Sequence, residues 1–246
     1  MKLGTLLRTG LLLLSLSACR TTNLLVATFE GDAIGTAPTK DLPGAPVGDS
    51  VAYKAIISPW LRVQTSTFTP GQKALVFTNM NSRGEVRVFD SWLNFKGIRS
   101  TYDQTTWFYW TAKLGPVVGE MTIDVQGIQS LWVTRFRIMT DGRLMLVRDV
   151  GNENTSQLIG TLNNQTAHTI IISLSPQART FDLSVFGARE RRIINLTNMP
   201  VLFGSNPQAD YEFERPSIHF SYSGQFIYQS SYVFEDVFIS KRRPNP

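Results

Sequence analysis

Arg135-Phe136-Arg137-Ile138-Met139-Thr140-Asp141-Gly142-Arg143-Leu144-Met145-Leu146-Val147-Arg148 reads as two strands folded about a tight turn. Asp-Gly suits a two-residue hairpin loop, because the backbone there needs positive φ. Such a loop pairs Thr140 with Arg143, Ile138 with Met145 and Phe136 with Val147. Those apolar pairs, extended to Trp132, form the expected core face. The opposite face carries Arg135, Arg137 and Arg148 with Met139, Leu144 and Leu146. Half basic, it cannot be buried dry, so one sheet face is apolar and the other open.

The stretch 105–114 divides in the same way. Phe108, Trp110, Ala112 and Leu114 alternate on one side, and Trp107, Tyr109, Thr111 and Lys113 on the other. Because the second set includes Thr and Lys, it is assigned to solvent. Two exposed large rings then suggest a binding face, unless a loop or a neighbouring strand covers them. Trp107, Tyr109, Lys113, Arg135, Arg137, Arg148 and His219 are the candidate binding residues, inferred to lie on one surface. Rings stack on sugars and cations, and arginine forks grip carboxylates or sulfates, so the set suits an acidic glycan.

Further short β-rich runs occur at 24–29, 51–57, 61–68, 74–78, 85–89, 121–126, 168–174, 180–186, 217–222 and 232–240. With turn residues between them and no helical period, the chain reads as an all-β sandwich or barrel. Aromatic residues at 11 % against charged residues at 17 % provide a well-packed core with rings to spare for a surface.

The beginning of the chain sets its expected location. Lys2 and Arg8 precede an apolar run, Leu11–Leu14, which ends in Leu16-Ser17-Ala18-Cys19. A basic start, a short apolar run and small residues describe a secretion signal; a membrane span needs roughly 20 apolar residues. The ending resembles the lipobox of bacterial lipoproteins. That resemblance implies cleavage after residue 18, a covalent lipid on Cys19 and anchoring to a membrane of the cell envelope, the outer one in a Gram-negative cell. Residues 19–23 are then a short tether, 24–240 the sandwich and 241–246 a basic tail. Cleavage removes two of the 24 basic side chains and none of the 19 acidic ones, leaving a mildly basic chain that does not point to nucleic acid. Cys19 is the only cysteine, so neither a disulfide nor a thiolate metal site is expected.

Phe29-Glu30-Gly31-Asp32-Ala33-Ile34-Gly35-Thr36-Ala37-Pro38 and the closing Phe234-Glu235-Asp236-Val237-Phe238-Ile239 resemble the ends of concanavalin-A-like, laminin-G-like jelly rolls. The resemblance implies two stacked antiparallel sheets with the first and last strands adjacent. It also implies a structural calcium joining the N-terminal loop to the last strand, with Glu30, Asp32, Glu235 and Asp236 as oxygen ligands. The alternative is that these acids pair with basic neighbours or cap turns.

Catalytic patterns are thin. A retaining glucanase of this fold needs two carboxylates about 5–5.5 Å apart in an E-x-D-x-x-E run, which is absent. Ser217-Ile218-His219-Phe220 weakly resembles the Q-I-H strand of alginate-lyase-like jelly rolls, with Ser217 in place of Gln. A lyase would use Tyr109 or His219 for proton transfer, with Lys113, Arg135 and Arg137 neutralising a uronate. The reading is a non-catalytic, lipid-anchored envelope protein whose sandwich face binds a glycan or a protein partner. The alternatives are an assembly lipoprotein docking on an envelope protein and a lyase acting on acidic polysaccharide.

Overall fold

The computed structural model describes residues 22–39, 52–54, 61–79, 92–98, 100, 104–116, 119–127, 132–149, 155–202, 215–222 and 230–244. Among them fifteen strands run β1 (Asn23–Ala27), β2 (Ala52–Lys54), β3 (Leu61–Thr65), β4 (Lys73–Asn79), β5 (Trp92–Lys96), β6 (Thr106–Leu114), β7 (Met121–Gln126) and β8 (Trp132–Ile138). They continue as β9 (Arg143–Val147), β10 (Gln157–Thr161), β11 (Ala167–Ser175), β12 (Thr180–Phe186), β13 (Arg192–Pro200), β14 (Ser217–Tyr222) and β15 (Ser230–Ser240). Two antiparallel sheets result, a jelly-roll β-sandwich. The eight-stranded sheet follows β13-β12-β11-β6-β15-β4-β3, with β1 also on β15, and the seven-stranded sheet follows β10-β9-β8-β7-β14-β5-β2.

Alternation in the strands generates the core. Phe108, Trp110, Ala112 and Leu114 of β6 point inward, as do Ile170, Ile172 and Leu174 of β11, and Ile218 and Phe220 of β14. Phe220 sits at the centre, its ring meeting Trp110, Phe95, Tyr232 and Phe234 at centroid distances of 4.7–6.0 Å. Trp110 satisfies its indole N–H by donating to the Tyr232 hydroxyl at 3.3 Å, as a buried Trp must. Burial raises the Tyr232 hydroxyl's pKa well above its ordinary value, so it stays neutral.

The hairpin differs from its expected register. Met139 N donates to Arg143 O at 2.8 Å, and Gly142 takes φ 81°, so the loop is Thr140-Asp141-Gly142, three residues rather than two. Phe136 therefore opposes Leu146, and Ile138 opposes Leu144. The one-residue slip exchanges the faces of β9: Leu144 and Leu146 are core, and Met145 points out. A second correction concerns Trp132. The pairing of β7 with β8 shifts between Val125 and Gln126, so Val133 turns into the core and Trp132 faces outward.

Three strands had no counterpart in the expected set. β10 and β13 are polar edge strands, and Ile194 is their one buried residue. β5 alternates cleanly, with Leu93 and Phe95 inside, but is short and interrupted by Asn94. The expected run 85–89 lies outside the described residues.

As the resemblance implies, the first and last strands are neighbours. β1 and β4 lie end to end along one side of β15: β4 pairs with Ser230–Phe234 and β1 with Val237–Ser240. Between them β15 bulges at Glu235, where its pairing with β6 shifts. The sandwich thus has two distinct ends. One carries Thr22, Thr106, Ser175, Thr180 and Lys241, and the other Leu114, Ala167, Phe186 and Ser230.

Candidate functional site

On the outer face of the eight-stranded sheet, towards the Ser230 end, lies a groove of about 550 Å³. Its floor is β3, β4, β15 and β6, from which Arg62, Gln64, Ser231 and Lys113 project. Asn164 and Gln165, in the turn before β11, add amides at the rim. Arg62 and Lys113 have no carboxylate partner among the described residues, and no described lining residue is acidic.

Backbone detail shapes this groove. Gly115 N donates to Ser231 O at 2.8 Å, bringing the strand so close that a Cβ on Gly115 would collide with the Ser231 hydroxyl. The rim turn is held by His168, whose Nε2 accepts Asn163 N at 3.0 Å; the Asn163 side chain accepts Gln165 N at 2.8 Å. Burial lowers the His168 pKa to about 4, so the ring stays neutral and able to accept. The sequence reading missed Arg62, Gln64, Asn164, Gln165 and His168. Each is an ordinary polar residue whose role arises only when distant strands meet.

The outward set on β6 is placed as expected, but it is covered. Tyr109 is 8 % exposed. Its ring lies 5.4 Å from Phe238 on β15, and Ile171 of β11 stands opposite on the other flank. The Tyr109 hydroxyl bonds Thr111 Oγ1 at 3.1 Å. Trp107 is half-buried near the Thr22 end, with the Arg243 guanidinium 5.8 Å from its ring centroid. Lys113 alone of the three enters the groove.

The basic set lies on the other exterior. β6 belongs to the eight-stranded sheet, β8 and β14 to the seven-stranded one, so the inferred single surface does not exist. Tyr109 and Lys113 face one way; Arg135, Arg137 and His219 face the opposite way. A lyase centre drawn from all five falls with it.

On the seven-stranded face the two central arginines are neutralised. Arg135 grips Asp124 with two bonds, 2.7 and 3.0 Å, and Asp124 is fully buried. The same guanidinium lies 4.6 Å from the Trp132 ring centroid, shielding that outward indole. Arg137 Nε donates to Glu120 at 2.8 Å. His219, opposite Asp124 on β14, packs its ring 5.5 Å from Trp92. Burial lowers its pKa, Asp124 pulls the other way, and Arg135 and Lys96 reinforce the depression. Arg148 lies past the end of β9, exposed, and donates to Gln157 at 3.0 Å.

Three of the four carboxylates assigned to calcium are engaged by protein groups, although Asp32 Oδ2 is buried without a hydrogen-bond partner. No three His, Cys, Asp or Glu side chains converge as a metal set among the described residues. Glu235 is held by the Ser66 and Thr69 hydroxyls. Glu30 accepts Lys73 N, and Asp32 accepts both the backbone and the hydroxyl of Thr39. The cation at this junction is the Lys73 ammonium, which donates to Glu30 O at 2.6 Å and Asp32 O at 2.7 Å. Asp236 is left half-buried on the outer face, its pKa raised to about 6 by burial, Glu235 and Glu30.

Cys19 and the apolar run before it lie outside the described residues. Among the described residues, no helix is long and apolar enough to cross a membrane.

No family model matches the chain, and no curated protein does. Among solved structures it is similar to the catalytic domain of a GH131 β-glucanase from Podospora anserina. The match has 12 % identity and a TM-score of 0.55, covering 91 % of this chain and 98 % of that one. It is also similar to an endo-β-1,4-glucuronan lyase from Trichoderma reesei: 10 % identity, TM-score 0.47, 85 % of this chain and 95 % of that one. A sialidase aligns with 78 % of this chain at 12 % identity and a TM-score of 0.48, but this chain spans 16 % of its length. At 12 % identity the likeness to the β-glucanase domain establishes the shared two-sheet β-sandwich fold.

Proposed function

We propose that this is a lipid-anchored protein of the cell envelope whose eight-stranded face binds an acidic glycan in the groove between Arg62 and Lys113. The observation carrying the reading is that pair of cations, without carboxylate partners among the described residues and surrounded by amides and hydroxyls. Arginine and lysine attract carboxylate or sulfate, while Gln64, Asn164, Gln165 and Ser231 have the donors and acceptors to read sugar hydroxyls. A glycosidase would need two carboxylates at the groove, and none of its described lining residues is acidic. The β-glucanase whose fold this chain resembles makes a polysaccharide the first ligand class to test.

Titrating the protein with polyuronates, sulfated glycans and neutral glucans tests it. Binding should be confined to the acidic chains and weaken with salt, and Arg62→Ala and Lys113→Ala should each weaken it about tenfold. Equal affinity for neutral glucan, or indifference to both substitutions, overturns the reading. Absorbance of an unsaturated uronate product during the titration would turn binding into lyase chemistry. A protein partner is the second reading, and one feature favours it: Leu158 and Ile193 are exposed on the edge strands β10 and β13, which approach each other. Loss of a co-purifying envelope protein on Leu158→Asp, with glycan binding absent, would support that alternative.

A further inference from the structure

Beyond the groove, the outer face of the eight-stranded sheet continues for three more strands. Cross-strand register sets Arg62 of β3, Val76 of β4, Val233 of β15, Lys113 of β6 and Ala167 of β11 in one line. The adjoining line runs from Thr111 of β6 through Thr169 of β11 and Phe186 of β12 to Arg192 of β13. Lys113 therefore lies three strands from Arg62 and three from Arg192, roughly 14 Å each way at 4.8 Å per strand. Cations recur at even intervals across the width of the sheet.

Arg192 is exposed, yet held in place. Phe186 points outward because Phe181, Leu183 and Val185 take the core side of β12, and the Arg192 guanidinium lies 5.3 Å from the Phe186 ring centroid. Its Nη1 donates to Asn195 Oδ1 at 3.3 Å. Those contacts orient the fork and leave it without a carboxylate partner among the described residues. The turn before β13 adds exposed Arg189 and Arg191 on either side of Glu190, and closes through Gly187 N donating to Arg191 O at 2.9 Å. Arg189 and Glu190 sit at φ 59° and 56°, a left-handed conformation that residues with a side chain rarely adopt. The acids close to the path are Glu190 and Asp236, which stands opposite Thr111; Asp182 is two rows away, beside Ser173.

We propose that Phe186 and Arg192 form a second subsite, which takes a carboxylate or sulfate of the same acidic chain after that chain has crossed Lys113. The ligand is then a polyanionic polysaccharide lying across the strands, reaching roughly 29 Å from Arg62 to Arg192 over six strand spacings. A guanidinium fork grips a carboxylate or sulfate in two parallel bonds, and the Phe186 ring holds that fork through its π face. Between the cations the path crosses hydroxyls, Thr111 and Thr169, which share a bond of 3.1 Å. Once the groove is occupied the second contact is intramolecular, so it contributes only for chains long enough to reach it. The subsite rests on the glycan reading of the groove and is independent of any anchor.

The test compares the affinity of the full-length protein for a uronate tetrasaccharide and for a long polyuronate. Arg192→Ala should weaken the polymer about fivefold and leave the tetrasaccharide unchanged, with the melting temperature unmoved because the side chain is exposed. Phe186→Leu, which keeps an apolar group and removes the ring, should show the same selectivity to a smaller degree. Arg62→Ala and Lys113→Ala should weaken both ligands. An Arg192→Ala protein that binds the polymer as the parent does, or loses both ligands equally, overturns the second subsite and leaves the groove standing. If Arg62→Ala and Lys113→Ala change neither ligand, the groove reading fails and the extension with it.

Discussion

On the seven-stranded face the guanidinium groups of Arg135 and Arg137 are taken up by Asp124 and Glu120, whereas on the eight-stranded face Arg62 and Lys113 flank an open groove without a described carboxylate partner. Both faces carry aromatic rings and basic side chains, so composition does not distinguish them. Pairing does. A carboxylate one strand away converts arginine from a ligand-binding group into a structural one, because its charge is neutralised and its donor fork occupied. The chemistry available to a partner is what remains after each face has satisfied itself.

This contrast breaks most visibly at Asp124. Replacing it with alanine leaves the Arg135 charge under Trp132 without its counter-ion, and the loss should be about 3–5 kcal/mol, read as a lower urea midpoint. Glycan affinity of the protein that remains folded should be unchanged. Arg62→Ala should give the mirror image, with stability within about 0.5 kcal/mol of the parent and binding about tenfold weaker. Equal destabilisation by the two changes would erase the difference between the faces.

A smaller effect is expected at Lys73. Lys73→Met keeps the apolar stem and removes the ammonium from Glu30 O and Asp32 O, at a cost of about 2 kcal/mol for hydrogen bonds from a charged group. Thermal melts of the parent protein should be unmoved by a calcium chelator. A chelator-sensitive parent would restore the ion that the resemblance implied.

The smallest effect is a pH dependence. Asp236 titrates at about 6 in the folded chain against 3.8 for an ordinary aspartate, so folding favours its protonated form. Its contribution is whole below about pH 4 and is lost as pH rises through about 6. The buried His168, lowered to about 4 from 6.5, acts in the opposite direction, adding stability as pH rises across that range. The two oppose each other in the parent. Asp236→Asn should therefore uncover a rise in melting temperature between pH 4 and 6.5; a flat profile would remove both groups from the account.

Alternation along β6 and β15 was legible in sequence because both strands are long and their inward residues are large and apolar. The Asp-Gly turn was legible too, but its length was not. Whether Gly142 closes a loop of two residues or three depends on the single bond from Met139 N to Arg143 O, and that choice reversed β9. Alternation tells inside from outside and says nothing about which sheet a strand joins, so β6 and β8 were placed on one surface. Asp124, eleven residues from Arg135, and Lys73, more than forty from Glu30, meet their partners only through strand order. The groove was illegible for the same reason: β3, β4, β6, β15 and the turn before β11 each supply a fragment of it.

The end-to-end arrangement of β1 and β4 along β15 has a mechanical consequence. Were the proposed anchor and glycan both engaged, the load would run along the strands from Thr22 to the groove. Such a load would shear β1 against β15, stressing all the perpendicular hydrogen bonds of that ladder together instead of peeling them one by one. Lys73 fastens the far end of the same segment through the carbonyls of Glu30 and Asp32, so β1 behaves as a riveted strap, and Lys73→Met should lower the force at which it slips.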